Sequence, residues 1–273
     1  IREGICEALE TTVIGYNGAT DGYFDAVAGW MKETHDWTVP KEAIVPFQGV
    51  VPMIEQAIRA FTQTGDGVLI LTPVYHPFRM MIEKTERRVV TSSLLEDEGA
   101  YRIDFRDLEE KAKDARVLLF CSPHNPVGRV WDKEELEEVA RIAKEADLLV
   151  ISDEIHHDLA LTKKHTVFQT VDPSLPVVTL TAPTKTFNLA GAKVSNLIAA
   201  DPALREKFTA EGELMPSVLG LMAGEQAYRR GGPWLSALKE KIKENEAVFR
   251  DILKQRAPIV RISPLEGTYL LWV

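Results

Sequence analysis

Cysteine is nearly absent from this chain: Cys6 and Cys121 are the two in 273 residues, far apart and without the spacing of metal ligands. That excludes a disulfide scaffold and a zinc site, and it suits a reducing compartment. Long apolar runs are also missing, and none approaches the roughly 20 residues that cross a bilayer. No lysine- or arginine-rich stretch occurs, and 32 basic against 41 acidic residues leave a net charge of −9. A negative surface repels phosphate backbones, so nucleic acid and anionic membrane are not expected partners. No leader peptide, internal repeat, low-complexity tract or long linker is visible. The composition, 45% hydrophobic and 27% charged, is that of a soluble globular protein, and a cytoplasmic location is the expectation. The opening Ile1 and the strand-like run Leu270-Leu271-Trp272-Val273 give the expectation of a partial copy of a longer protein.

What is present is a rhythm of strand, loop and helix. Short, mainly apolar runs occur at 68–71, 89–91, 117–120, 148–151 and 177–180, with helical patterns through Lys84, at 133–145 and at 235–254. Unalternating apolar strands are covered on both faces. Helices between them imply right-handed crossovers and a largely parallel sheet. From Glu213 onward the pattern turns helical, and a strand pair at 259–262 and 267–273 is expected to begin a smaller second domain. The expected division is 1–240 for the large domain and 241–273 for the start of the small one.

Unusual polar residues stand just after these strands: Tyr75 after the first, then Asn125, Asp153 and Lys185. In open α/β sheets that edge binds ligands. Lys185 lies in Ala182-Pro183-Thr184-Lys185-Thr186-Phe187-Asn188. An arbitrary loop lysine is solvated, but this one has hydroxyl neighbours suited to phosphate and a second cation, Lys193, eight positions on. A desolvated lysine beside a cation has a lowered pKa and forms an imine with an aldehyde. Asp153, in Ser152-Asp153-Glu154-Ile155-His156, taken alone reads as a helix N-cap; beside such a lysine it suits the protonated ring nitrogen of pyridoxal 5′-phosphate (PLP). His156 could reach the phenolic oxygen of that cofactor or be an ordinary loop histidine. Asn125, in Cys121-Ser122-Pro123-His124-Asn125-Pro126-Val127-Gly128-Arg129, makes an Asx turn or donates to the same oxygen. Gln48-Gly49-Val50-Val51 opens a helical run, where free amides bind phosphate. Tyr75 packs as most tyrosines do or stacks on the ring. Singly these signals are weak; in this order they reinforce one another.

Together the segments resemble the fold-type I PLP enzymes of the class I/II aminotransferase group, most of all the MalY/PatB-type cystathionine β-lyases. The residues that carry the likeness are 122–131, 152–156, 182–188, Gly49-Val50-Val51 and Gly267-Thr268-Tyr269-Leu270. The resemblance spans nearly the whole chain and implies an α/β fold: a mostly parallel sheet sandwiched by helices in a large domain, with a smaller α+β C-terminal domain. It implies that Lys185 holds PLP as a Schiff base and moves the Cα proton. Asp153 would pair with the pyridine nitrogen, Asn125 and His156 would face the phenolic oxygen, and Tyr75 would stack on the ring. Gly49, Val50, Val51, Thr184 and Lys193 would cradle the phosphate. Tyr16, in Gly15-Tyr16-Asn17-Gly18, matches a tyrosine lent to a neighbouring subunit's site, which implies a homodimer; on its residues alone it is a loop aromatic of the core.

Two departures from general aminotransferases look lyase-like: His156 where tyrosine is usual three positions after the aspartate, and Lys193 where arginine is usual. A third, Thr184 in place of the lyases' serine, keeps the hydroxyl. The arginine that binds the substrate carboxylate in the family belongs to a C-terminal region outside these 273 residues. The implied activity is β-elimination from cystathionine or a related S-substituted cysteine. Transamination in the same pocket is the alternative, and a regulatory role through protein contacts is a third reading.

Overall fold

The structure is a computed structural model that describes residues 1–212 and 214–273; the start of the expected helical pattern at Glu213 lies outside the described residues. Helix α1 (Arg2–Thr11) and helix α2 (Asp21–His35) lead into strand β1 (Ile44–Phe47), helix α3 (Val50–Phe61) and strand β2 (Gly67–Thr72). Helix α4 (Pro77–Lys84) and strand β3 (Arg88–Ser93) follow, then a small hairpin of β4 (Leu95–Asp97) and β5 (Ala100–Arg102). Next come α5 (Phe105–Ala112), β6 (Val117–Cys121), α6 (Lys133–Glu145), β7 (Leu149–Asp153) and β8 (Val177–Thr181). The one-turn helix α7 (Pro183–Thr186), β9 (Ser195–Ile198), α8 (Pro202–Ala210), α9 (Val218–Arg230) and α10 (Gly232–Arg256) complete the order.

Seven strands form one sheet in the order β1-β9-β8-β7-β6-β2-β3. The five expected strands, β2, β3, β6, β7 and β8, pair parallel, whereas β9 runs antiparallel to both β8 and β1. Within each central strand the side chains alternate between two cores, as a period of two requires. Val68 and Ile70 join Val117, Leu119 and Cys121 in the core under α3, α4 and α8. Leu69 and Leu71 join Leu118 and Phe120 in the opposite core, against α5 and α6. These runs are apolar throughout because both faces are covered. A third core gathers α2, α9 and the start of α10 around Tyr23, Val27, Met31 and Phe187.

Local chemistry sets the helix ends. Thr20 accepts from the Tyr23 amide at 3.2 Å to start α2, and Asp36 ends it in the left-handed region. Asp132 and Glu135 form a reciprocal capping box at the start of α6, which satisfies two donors that the first turn leaves free.

The expected strand pair near the C-terminus does not form. Residues 257–273 contain no strand, and the bond nearest to such pairing runs from the Ser263 amide, just past the first segment, to the Trp272 carbonyl at 2.9 Å. Pro264 lacks a donor, and the backbone beyond it is engaged elsewhere: the Glu266 and Gly267 amides donate to Gly128 and the Thr268 amide to Leu159. A Cβ on Gly267 would lie 2.7 Å from Val130 Cγ2, so only glycine allows this close docking. The expected division at 240 falls within α10, which continues unbroken to Arg256.

Candidate functional site: a lysine, a buried aspartate and an asparagine on neighbouring strand ends

The sheet order places the candidates side by side. Lys185 follows β8, Asp153 ends β7, Asn125 follows β6 and Tyr75 follows β2, and these four strands are consecutive neighbours. At about 4.8 Å between strands, their C-terminal ends form one continuous rim. Because β9 runs the other way, Lys193, just before it, reaches the same rim, and the end of β1 brings Gln48 and Gly49 there.

Asp153 is 3% exposed. Its side chain accepts from the Ile155 amide at 3.2 Å. Burial pushes its carboxyl up to about 7 against the pull of that amide and of Lys185, because a desolvated charge with few donors is costly. His156 is 2% exposed, and neither ring nitrogen has a hydrogen-bond partner among the described residues. Burial, then the nearby Lys185 charge, pulls its pKa down to about 3, so the ring is neutral at physiological pH. Tyr269 closes edge-on over it, with ring centroids 5.6 Å apart. The hydroxyl of Ser122 is also buried without a partner there. Such orphaned polar atoms are uncommon in a native interior, and on a rim like this one a ligand can complete their bonding.

The loop carrying Asn125 is held from both sides. The His124 amide donates to the Arg129 carbonyl at 2.7 Å, the Asn125 amide donates to Cys121 Sγ at 3.4 Å, and His124 Nε2 donates to the Pro73 carbonyl at 2.9 Å. That last bond ties the Asn125 loop to the Tyr75 loop. Tyr75 is half-buried, its ring 6.2 Å from Phe78 in an edge-on contact.

At the phosphate end, Gly49 adopts φ +90°, and a Cβ there would meet nothing closer than Pro52 Cδ at 4.0 Å. The Gly49 amide already donates to the Phe47 carbonyl at 2.9 Å, so the free donors at the start of α3 are the amides of Val50 and Val51. No side chain caps this helix start, which leaves it open to an anion. Lys185 and Thr184 sit in α7, both half-buried, beside a cavity of about 270 Å³ closed by Trp234, Leu238 and Tyr269. Lys193 is exposed in the left-handed region. Tyr16 is not brought to this site: it is fully exposed on the segment after α1, which also corrects its reading as a core aromatic.

Sequence reasoning overlooked a second polar layer. Glu154 accepts from His165, Ser152 and the Phe168 amide, and Asp158 accepts from Trp30, His35, His157 and Thr186. The dense run of acids and histidines from Asp153 to Asp158, directly after a buried strand, was the available signal. Also overlooked was Glu266, whose carboxylate takes Arg129 Nε and the Val130 amide, both at 2.9 Å, and so holds the segment that presents Tyr269.

With this geometry, comparison with known proteins is decisive. The sequence model of the aminotransferase class I and II family matches residues 16–273. The chain belongs to that family. Cystathionine beta-lyase PatB of Bacillus subtilis is 40% identical over the whole chain, which spans 73% of that protein. Protein MalY of Escherichia coli is 32% identical over the whole chain and 72% of its own length. Among solved structures, cystalysin from Treponema denticola, which contains PLP, aligns with a TM-score of 0.97 and 44% identity, covering 99% of this chain and 71% of that one. The PLP-bound C–S lyase of Staphylococcus hominis gives a TM-score of 0.95 at 32% identity, with 99% and 71% covered. The family's fold, a mostly parallel sheet sandwiched by helices, is therefore the fold of this chain.

The residues present fit PLP. The partner-poor carboxyl of Asp153, the unpartnered nitrogens of His156 and the open helix start at Val50 and Val51 are three separate vacancies in hydrogen bonding. They suit a ring nitrogen, a phenolic oxygen and a phosphate.

Proposed function

We propose that the protein is a PLP-dependent carbon–sulfur β-lyase that cleaves an S-substituted L-cysteine such as cystathionine to a thiol, pyruvate and ammonia, with water consumed. The observation that carries the proposal is the alignment of Lys185, Asp153, Asn125 and Tyr75 on four adjacent strand ends, around buried polar atoms without protein partners. Held on Lys185, PLP supplies an electron sink for the charge that develops at the substrate Cα.

The chain's own residues do the rest. Lys185 would hold the cofactor and, once freed by the substrate's amine, would serve as the base for the Cα proton. Asp153 holds the proton on the pyridine nitrogen, and a cationic partner there relieves the cost that burial imposes on its carboxylate. His156, neutral, and Asn125 donate to the phenolic oxygen. Val50, Val51, Thr184 and Lys193 bind the phosphate, Gly49 clears space for it, and Tyr75 covers the ring face.

Tyr16 acts in the site of a second copy, in a homodimer. Its complete exposure beside exposed Val13 and Ile14 supports that reading. Residues 1–240 form the cofactor-binding body, and 241–273 begin a smaller domain. No helix among the described residues is long and apolar enough to cross a membrane, and two unpaired thiols suit a cytoplasmic location.

The relatives' names favour elimination, while the family's name favours transamination. The deciding assay supplies PLP-loaded protein with L-cystathionine. Pyruvate released without any 2-oxo acid supports the lyase. Amino transfer that requires a 2-oxo acid, with no pyruvate formed, selects the aminotransferase instead.

A further inference from the structure

Asp158 lies five residues beyond Asp153 and is 1% exposed. Its Oδ1 accepts from Trp30 Nε1 at 3.0 Å and His35 Nε2 at 2.7 Å, both on α2. Its Oδ2 accepts from His157 Nε2 at 3.1 Å and from Thr186 Oγ1 at 2.7 Å. Burial alone would raise its carboxyl, but His157 and His35 hold it well below the usual range. The group is therefore a carboxylate, able only to accept. Thr186 is wholly buried and follows Lys185 directly in α7.

The trio His35, His157 and Asp158 has the composition of a metal site, with ligand atoms within 4.8 Å of one another. Yet each carboxylate oxygen already takes a donor that no metal would use, the Trp30 indole on one and the Thr186 hydroxyl on the other. Both carboxylate oxygens are thus engaged by protein donors, and of those four donors Thr186 is the one next in sequence to Lys185.

A four-residue helix cannot hold itself together in water. Within α7 the backbone bonds that close the turn are Phe187 to Pro183 and Leu189 to Thr184, both 2.9 Å. The anchor below is a charge-assisted bond to a carboxylate fixed by three other donors, the stronger kind. The residue after Thr186, Phe187, packs edge-on against Trp30 with centroids 5.3 Å apart, so the two contacts grip the same stretch.

We infer that Asp158 is a positioning residue for the proposed reaction. Through the Thr186 hydroxyl it fixes the turn from which Lys185 reaches the substrate Cα, and it ties that turn to the loop bearing Asp153 and His156. This rests on the reading of Lys185 as the PLP lysine and Cα base. Misplacing a reacting group by about 1 Å costs on the order of 100-fold in rate, so an anchor one residue from the base has leverage on proton transfer.

The test measures exchange of the Cα proton of L-alanine with heavy water by PLP-loaded protein. L-Alanine has no leaving group, so the readout is independent of carbon–sulfur cleavage. Thr186→Val keeps the volume and removes the donor; Thr186→Ala removes it without placing a methyl against the carboxylate. Both are expected to load PLP, to lower the exchange kcat by about tenfold or more, and to change KM by less than about threefold. Thr186→Ser restores the hydroxyl and should return kcat to within about threefold of the parent. Exchange by either the valine or the alanine variant within about twofold of the parent overturns the inference, as does a serine variant as slow as they are. A parent protein that loads PLP but exchanges no Cα proton overturns the reading of Lys185 itself.

Discussion

Asp153, at the end of β7, and Asp158, five residues further on, are both enclosed carboxylates, and they have opposite characters. Asp158 accepts four hydrogen bonds and is held as an anion. Asp153 accepts from one amide and is pushed up to about 7. The same contrast separates the neighbouring histidines. His157 donates to Asp158, whereas His156 has no partner for either nitrogen among the described residues. Burial itself therefore does not mark a functional group here. What sets Asp153 and His156 apart is burial with few or no hydrogen bonds, the condition a cofactor would complete, while the Asp158 carboxylate behind them is bonded on both oxygens.

The largest expected effect lies where the two layers meet. Lys185→Ala should lower pyruvate formation by about 10⁴-fold in initial rate, because in the proposed reaction one side chain holds the cofactor and moves the proton. Second is the scaffold side: Asp158→Ala leaves Trp30, Thr186 and two histidines facing a gap. Unfolding in urea should show a loss of about 3 kcal/mol, the scale for removing one partner from a buried charged cluster. Asp153→Asn should instead leave the cofactor-free protein at least as stable at pH 8 and lower kcat/KM of the loaded enzyme by about 100-fold. Equal destabilisation by the two substitutions would break the distinction between site and scaffold.

The pH dependence sharpens it further. The folded pKa of Asp153, about 7, lies above the unfolded value near 4. Between those values the native state binds more protons than the unfolded chain. The contribution of Asp153 to stability is thus favourable to the fold at low pH and is lost as pH rises through that window. Urea midpoints of cofactor-free protein at pH 5 and pH 8 should show this slope, and Asp153→Asn should remove it. The smallest effect on folding is expected at Tyr16. Tyr16→Ala should leave stability within about 0.5 kcal/mol, since the side chain is wholly exposed, yet lower activity. Mixing Tyr16→Ala with Lys185→Ala subunits should then regenerate one intact site per heterodimer, read as recovered pyruvate release.

Much of this was legible in the amino-acid order. The central parallel strands announce themselves because they are covered on both faces and so mostly apolar, and the edge strand β3 shows only its short Val89-Val90 run. The two antiparallel strands did not: β1 is four residues long and contains Pro46, and β9 opens on Ser195 and Asn196. The placement of Lys185, Asp153 and Asn125 was readable because each ends or follows a buried strand. Their adjacency was not, since the order β8-β7-β6-β2 is fixed by packing over the whole chain. Asp158 was hidden for a related reason. Its α2 partners, Trp30 and His35, are 128 and 123 residues away in sequence, so the local run of acids and histidines could not show what it binds. The C-terminal strands failed because docking onto Gly128 and Leu159 engages the amides that pairing would need.

The proposed chemistry depends most directly on one covalent bond. Protein incubated with PLP, reduced with borohydride and digested should carry the pyridoxyl label on Lys185, found by mass spectrometry in the peptide spanning 183–193, and Lys185→Ala should carry none at the site. Label at Lys193 or spread over surface lysines, with none at Lys185, would contradict the assignment.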